Sequence, residues 1–106
     1  MAQNDPDVRL TQPTLKVLRL LLEKPREGRS GAEISKATKV GSGTLYPMLA
    51  RLENARWLSS EWEAIDPSEV GRPRRRFYKL TAVGQNSARL ALTDLQMTPG
   101  ELAWTS

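Results

Sequence analysis

The 106-residue chain contains no cysteine and no histidine. Without cysteine there is no disulfide framework and no thiolate to bind zinc or attack a substrate. Without histidine the commonest general base and metal ligand is missing, as is a switch that titrates near neutral pH. Long apolar runs are missing too. The best, LKVLRLLL, is broken by Arg19, whereas a membrane span needs roughly 18 consecutive apolar residues. The opening MAQNDPD is acidic and polar, the opposite of a secretory signal's basic start. The acids are scattered; Glu61 and Glu63 are two apart, as expected for same-face neighbours on a strand. These absences set an expectation of a cytoplasmic protein that is not an enzyme, holds no metal or cofactor and meets no membrane.

What is concentrated is positive charge. Residues 70–81, VGRPRRRFYKLT, carry Arg72, Arg74, Arg75, Arg76 and Lys79 with no acid among them. The formal net charge of the chain is +4, so the remaining 11 basic and 12 acidic residues sum to −1. Such a run suits a localisation signal, a solvated tail or a surface that meets a polyanion. Its neighbours decide between these.

Residues 1–11 read as a polar arm, with Thr11 placed to cap a helix that has Pro13 in its first turn. Leu15, Leu18, Leu21 and Leu22 recur at helical spacing, and Val17 and Leu20 widen the apolar arc beyond what one packing partner needs. The helix is expected to stop at Lys24-Pro25. Ser30-Gly31-Ala32-Glu33 matches a capping box and opens a second helix ending near Thr38. Lys39-Val40-Gly41 reads as a tight turn with Gly41 at positive φ, and Ser42 as the cap of a third helix running to Asn54 or Ala55. Helix, short glycine-containing turn, helix is helix-turn-helix grammar.

On the third helix Leu45, Met48, Leu49 and Leu52 form a core stripe at i, i+3, i+4 and i+7. The opposite face collects Gly43, Pro47, Ala50 and Asn54, flanked by Thr44 and Arg51 on one edge and Tyr46 on the other. Small residues permit close approach to another surface, and the flanking side chains can reach bases and phosphates. The period then changes. Residues 57–63 alternate as a strand, 64–73 hold Asp-Pro and Gly-Arg-Pro and form a loop, and 74–80 resume a strand. The basic cluster thus straddles a hairpin tip and its returning strand. The expected fold is mainly α with a small β-hairpin (α+β), in the winged helix-turn-helix order helix, helix, helix, strand, wing, strand, helix.

Thr81 is placed to cap the last helix, 81–98, whose Val83, Ala88, Leu90, Ala91, Leu92, Leu95 and Met97 leave an apolar arc too wide for one small domain. The wide arcs of the first and last helices point to a second chain. Val17, Leu20, Leu90, Leu92 and Leu95 are the candidate dimer contacts. Residues 99–106 form a tail containing Trp104.

SGTLYPMLARLENARWL followed by GRPRRRFYKLTAVG resembles the PadR-type transcriptional regulators, winged-helix relatives of the MarR group. The family pattern, a GTLYPxLxRLE recognition helix and a Gly/Pro/basic wing returning through [YF]Y-x-LT-x-x-G, maps onto Gly43–Glu53 and Gly71–Gly84. The likeness spans roughly residues 12–97. Three positions depart from it. Arg29-Ser30-Gly31-Ala32 stands where many members carry an aromatic and a Gly-Tyr pair. Arg56 replaces the glycine that commonly follows the recognition helix, leaving Asn54 as candidate for the left-handed cap. Many relatives also have a longer C-terminal dimerisation domain.

The resemblance implies a homodimeric, sequence-specific repressor of double-stranded DNA. Ser42, Gly43, Thr44, Tyr46 and Pro47 would lie near bases and Arg51 near the backbone. Arg72, Arg74, Arg75, Arg76 and Lys79 would lie at the minor groove, with Lys36 and Lys39 as phosphate contacts. Some relatives bind flat aromatic ligands at a Trp-lined dimer interface, so a small-molecule effector at Trp104 is open. Two other classes fit the residues: a winged-helix module that binds an acidic protein, and a nucleic-acid binder without sequence preference.

Overall fold

The computed structural model describes residues 8–96. Trp104, Met97 and the rest of the tail, the first seven residues and the side chain of Leu95 lie outside the described part.

Helix α1 spans Gln12–Glu23. The Thr11 hydroxyl accepts the Thr14 N–H at 3.4 Å and pairs with the Thr14 hydroxyl at 3.0 Å, so one orphan donor of the first turn is satisfied. Val17, Leu18 and Leu21 are fully buried, while Lys16, Arg19 and Glu23 face outward. Val17 is therefore not a dimer contact. Its side chain is at 0% exposure inside its own core, because the expected wide apolar arc is filled by α2 and the last helix packing on α1 together. Leu20 is half-buried at the core's edge.

A two-residue strand, β1 (Arg29–Ser30), precedes α2 (Gly31–Thr38). The capping box forms in both directions: Glu33 N–H donates to Ser30 Oγ at 3.1 Å, and Ser30 N–H to Glu33 Oε1 at 2.8 Å. The turn that follows departs from expectation. Lys39, not Gly41, takes positive φ, at 65°. The reversal must come early so that Val40, 7% exposed, can enter the core. Ser35 Oγ donates to Val40 O at 2.7 Å and the Thr38 hydroxyl accepts the Val40 N–H at 3.3 Å, fixing that geometry. Gly41, with φ −68° and ψ 155°, is the N-cap of α3 (Ser42–Asn54), and Ser42 is its first helical residue rather than its cap.

The α3 stripe of Leu45, Met48, Leu49 and Leu52 is buried throughout, each large side chain contributing about 1.5–3 kcal/mol by leaving water. Its C-terminus closes as a Schellman motif: Trp57 N–H donates to Leu52 O at 2.9 Å and Arg56 N–H to Glu53 O at 3.0 Å. Arg56 itself supplies the left-handed residue, φ 67°. Asn54 stays helical, because only the position two beyond it satisfies both carbonyls.

Strand β2 (Leu58–Trp62), a single helical turn α4 (Pro67–Val70) and strand β3 (Arg76–Leu80) build the wing. Asp66 caps α4 by accepting the Ser68 N–H at 3.0 Å, and Gly71 ends it at φ 81°, a conformation that strains a side chain. The sheet has three strands rather than two, in the order β1-β3-β2, all antiparallel. Trp62 pairs with Arg76 and Leu58 with Leu80, while Tyr78 meets Arg29 on its other side. A two-residue strand has too short a period to be read from sequence. Helix α5 (Ala82–Gln96) opens where Thr81 Oγ1 accepts the Gly84 N–H at 2.9 Å. Gly84, Ser87, Ala88 and Ala91 are its buried side, and Ala88 joins the same core as α1.

Candidate nucleic-acid interface

The outward face of α3 is open. Ser42, Gly43, Thr44, Tyr46, Pro47, Ala50, Arg51 and Asn54 are all exposed, and this follows from the helical period once the Leu/Met stripe is buried. Tyr46 is 46% exposed, yet its ring is not free. It lies over Gly31 at the start of α2, so closely that a methyl group there would collide with the phenol. The capping box that fixes Gly31 thus also fixes Tyr46.

The five basic residues of the wing have unequal surroundings. Arg72 forms a bidentate pair with Glu63, Nη1–Oε1 2.8 Å and Nη2–Oε2 2.9 Å. Glu63 Oε1 also accepts the Arg75 N–H at 3.1 Å, and Glu63 N–H donates to Arg75 O at 2.7 Å. The Arg72 side-chain hydrogen bonds outweigh the opposing cost of desolvation and, with the Arg75 amide, lower the Glu63 pKa from 4.5 to about 2. This carboxylate is the clasp of the wing.

Arg76 is engaged from the other direction. Its Nε donates to Ser60 Oγ at 2.8 Å and Nη2 reaches Glu53 Oε2 at 3.5 Å, while Ser60 Oγ donates to the same Glu53 oxygen at 2.6 Å. The guanidinium stands 5.0 Å from the centroid of Trp62, within cation–π range. Glu53 belongs to α3 and Arg76 to β3, so this network fastens the helix to the wing. Arg74 donates Nε to Ile65 O at 3.0 Å. Arg75 gives the clasp only its backbone groups. The side chains of Arg75 and Lys79, like Lys36 and Lys39 on and beside α2, are exposed.

Arg74, Arg75, Arg76, Trp62, Tyr46 and the start of α2 together line an open groove of about 340 Å3 beside α3. Sequence reasoning placed the basic residues and missed the acids that sort them. Glu53 and Arg76 lie 23 positions apart, beyond any local pattern. Glu63 left one signal, an acid at the end of one hairpin strand facing a basic return.

Among the described residues no group of three or more acidic side chains is placed to hold a metal ion, and no helix is long and apolar enough to cross a membrane. The fold matches 31 chains of known structure. One is MepR of S. aureus in its DNA-binding conformation, with TM-score 0.67 at 18% identity over 92% of this chain. The chain spans 66% of that protein's length. A transcriptional regulator homologue from Pyrococcus horikoshii has TM-score 0.63 at 22% identity, covering 78% of this chain and 75% of its own. A Streptococcus mutans protein has TM-score 0.62 at 28% identity, covering 78% of each. No curated protein sequence matches. The family model of the PadR-like transcriptional regulators matches residues 17–90, which take in the second half of α1, all of α2 and α3, the clasped wing and the start of α5, and the chain belongs to that family.

Proposed function

We propose that the chain is a sequence-specific DNA-binding repressor that acts as a homodimer on an inverted repeat. The observation that carries this reading is the pairing of an open, acid-free α3 face with a basic wing fastened to the same helix through Glu53 and Arg76. With α3 in the major groove, Ser42, Thr44, Tyr46 and Pro47 read bases and Arg51 meets the backbone. Arg74 and Arg75 at the wing tip meet the adjacent minor groove, where narrow, electronegative stretches attract arginine. Arg72 and Arg76 act one step back, since their charges are already met by Glu63 and Glu53.

The dimer forms along α5. Val83 and Leu90 are 59% and 45% exposed and Leu92 is half-buried, with Leu20 at the neighbouring edge of α1. A twofold partner covering these would set two recognition helices about 34–36 Å apart, one turn of duplex. Selection of bound duplexes from a random pool, with sizing of the same sample, tests the reading. An inverted repeat bound by two chains is expected. Retention without enrichment would make this a binder without sequence preference, and no retention at low salt a protein-binding module.

A further inference from the structure

A second cleft, of about 300 Å3, lies on the flank of α3 away from the wing. Tyr46 and Glu53 occupy the edge of α3 that faces Trp62 and Arg76. At 100° per residue Thr44 and Arg51 stand on the other edge. There they meet the start of the chain: Arg9, Thr11 and Thr14 line the same cleft, over a floor of Val8, Met48 and Leu52. Val8 is half-buried and packs against the core, and Thr11 is pinned as the α1 cap. Arg9 is thus held between two anchored residues.

The chemistry of the cleft is uniform. Two exposed arginines and the exposed hydroxyls of Thr11 and Thr44 rim it, and none of its lining residues is acidic. Among the described residues, the arginines with a carboxylate in ion-pair reach are Arg29, Arg72 and Arg76. Arg9 and Arg51 belong to the set without one. A helix seated in a major groove about 12 Å wide has a phosphate strand along each of its edges. The wing side of α3 faces one strand; the other strand needs a counterpart.

We propose that the Arg9–Arg51 cleft is that counterpart, a seat for a backbone phosphodiester on the strand opposite the wing, with Thr11 and Thr44 as hydroxyl donors. The arm is then a third DNA-contacting element beside α3 and the wing. This rests on the DNA-binding reading above.

The test uses the full chain and one duplex, taken from the selection or, without enrichment, of random sequence at low salt. Arg9→Ala is expected to flatten the log–log salt dependence by about 0.9 per subunit, roughly a 3.5-fold smaller loss between 50 and 200 mM salt. Base preference should be unchanged, since a phosphate contact weakens all sequences alike. Arg9→Lys should keep most of the slope. Within each half-site of a selected duplex, ethylation interference should lose its signal on one strand in R9A and on the other in R75A. An R9A slope and interference pattern equal to the parent's, with R75A altering both, overturns the cleft and leaves the DNA-binding reading intact. No retention of any duplex by the parent chain overturns that reading and the cleft with it.

Discussion

Removing Arg74 and Arg75 together should cost the wing its whole electrostatic contact, whereas removing Arg72 should cost almost none of it. All three lie in the same basic run, so sequence alone assigns them equal weight. The structure does not. Both terminal nitrogens of Arg72 are spent on Glu63 at 2.8 and 2.9 Å, while the Arg75 guanidinium is exposed and Arg74 commits only Nε. Each phosphate neutralised contributes about 0.9 to the slope of log affinity against log salt. The R74A/R75A chain should therefore show a slope shallower by about 1.8 per subunit, roughly a 12-fold difference across 50–200 mM salt. R72A should weaken binding at every salt concentration, because the tip loses its clasp, with little change of slope. Fluorescence anisotropy with a labelled duplex over that salt range measures both. A slope in R72A flattened as much as in R75A would show that Arg72 leaves Glu63 to meet a phosphate, and would refute this sorting of the wing arginines.

The same clasp gives a second prediction with an unexpected sign. Glu63→Gln removes a negative charge from the basic wing, yet DNA affinity should fall because the tip arginines lose their fixed presentation; tighter binding would rule the clasp out. Because the Glu63 pKa is depressed, its contribution is complete above the ordinary value of 4.5 and fades only as pH falls toward about 2. The Arg75 amide shift, followed by NMR, should hold steady through pH 4.5, and a midpoint there would contradict the hydrogen bonding described. Arg56→Gly exchanges a left-handed arginine, costing about 1–2 kcal/mol, for a glycine entropy loss of about 0.5–1 kcal/mol. A net gain of roughly 0.5–1 kcal/mol, a few degrees in Tm, is expected by calorimetry with DNA binding unchanged; a lower Tm would contradict the strain argument. Gly84→Ala would drive a methyl into the Trp57 carbonyl, a rigid backbone neighbour, and should destabilise by at least about 1–3 kcal/mol in urea unfolding; an unchanged midpoint would mean α5 sits farther from Trp57.

Most of the architecture was legible because it is written in local chemistry. Thr11, Ser30 with Glu33, and Thr81 announce helix starts within three residues of the groups they bond. The α3 stripe repeats at the helical period. What escaped depends on distant partners. Arg29 and Ser30 are a strand only because Tyr78 and Phe77 come beside them. Lys39 is left-handed because Val40 is needed in the core, an outcome no propensity encodes for lysine. Val17 looked surplus on its own helix and is consumed by two others. In the candidate site the basic residues declare themselves in sequence. Their division into presented and neutralised groups depends on Glu53 and Glu63, 23 and 9 positions away from their arginines.

The central place of β3 bears on how the molecule comes together. Residues 76–80 pair with 29–30 on one side and 58–62 on the other, so neither flanking strand has a mate until nearly three quarters of the chain exists. Helices α1 to α3 need only short-range closure, which is fast, whereas this sheet must close loops of high sequence separation. Helix α3 is thus made early and mounted late. A nascent chain halted before residue 76 would hold the whole open face of α3 yet lack the strand that carries Arg76 to Glu53. Competence to hold DNA should then arrive in one step, when the most basic segment of the chain slides between two waiting edges.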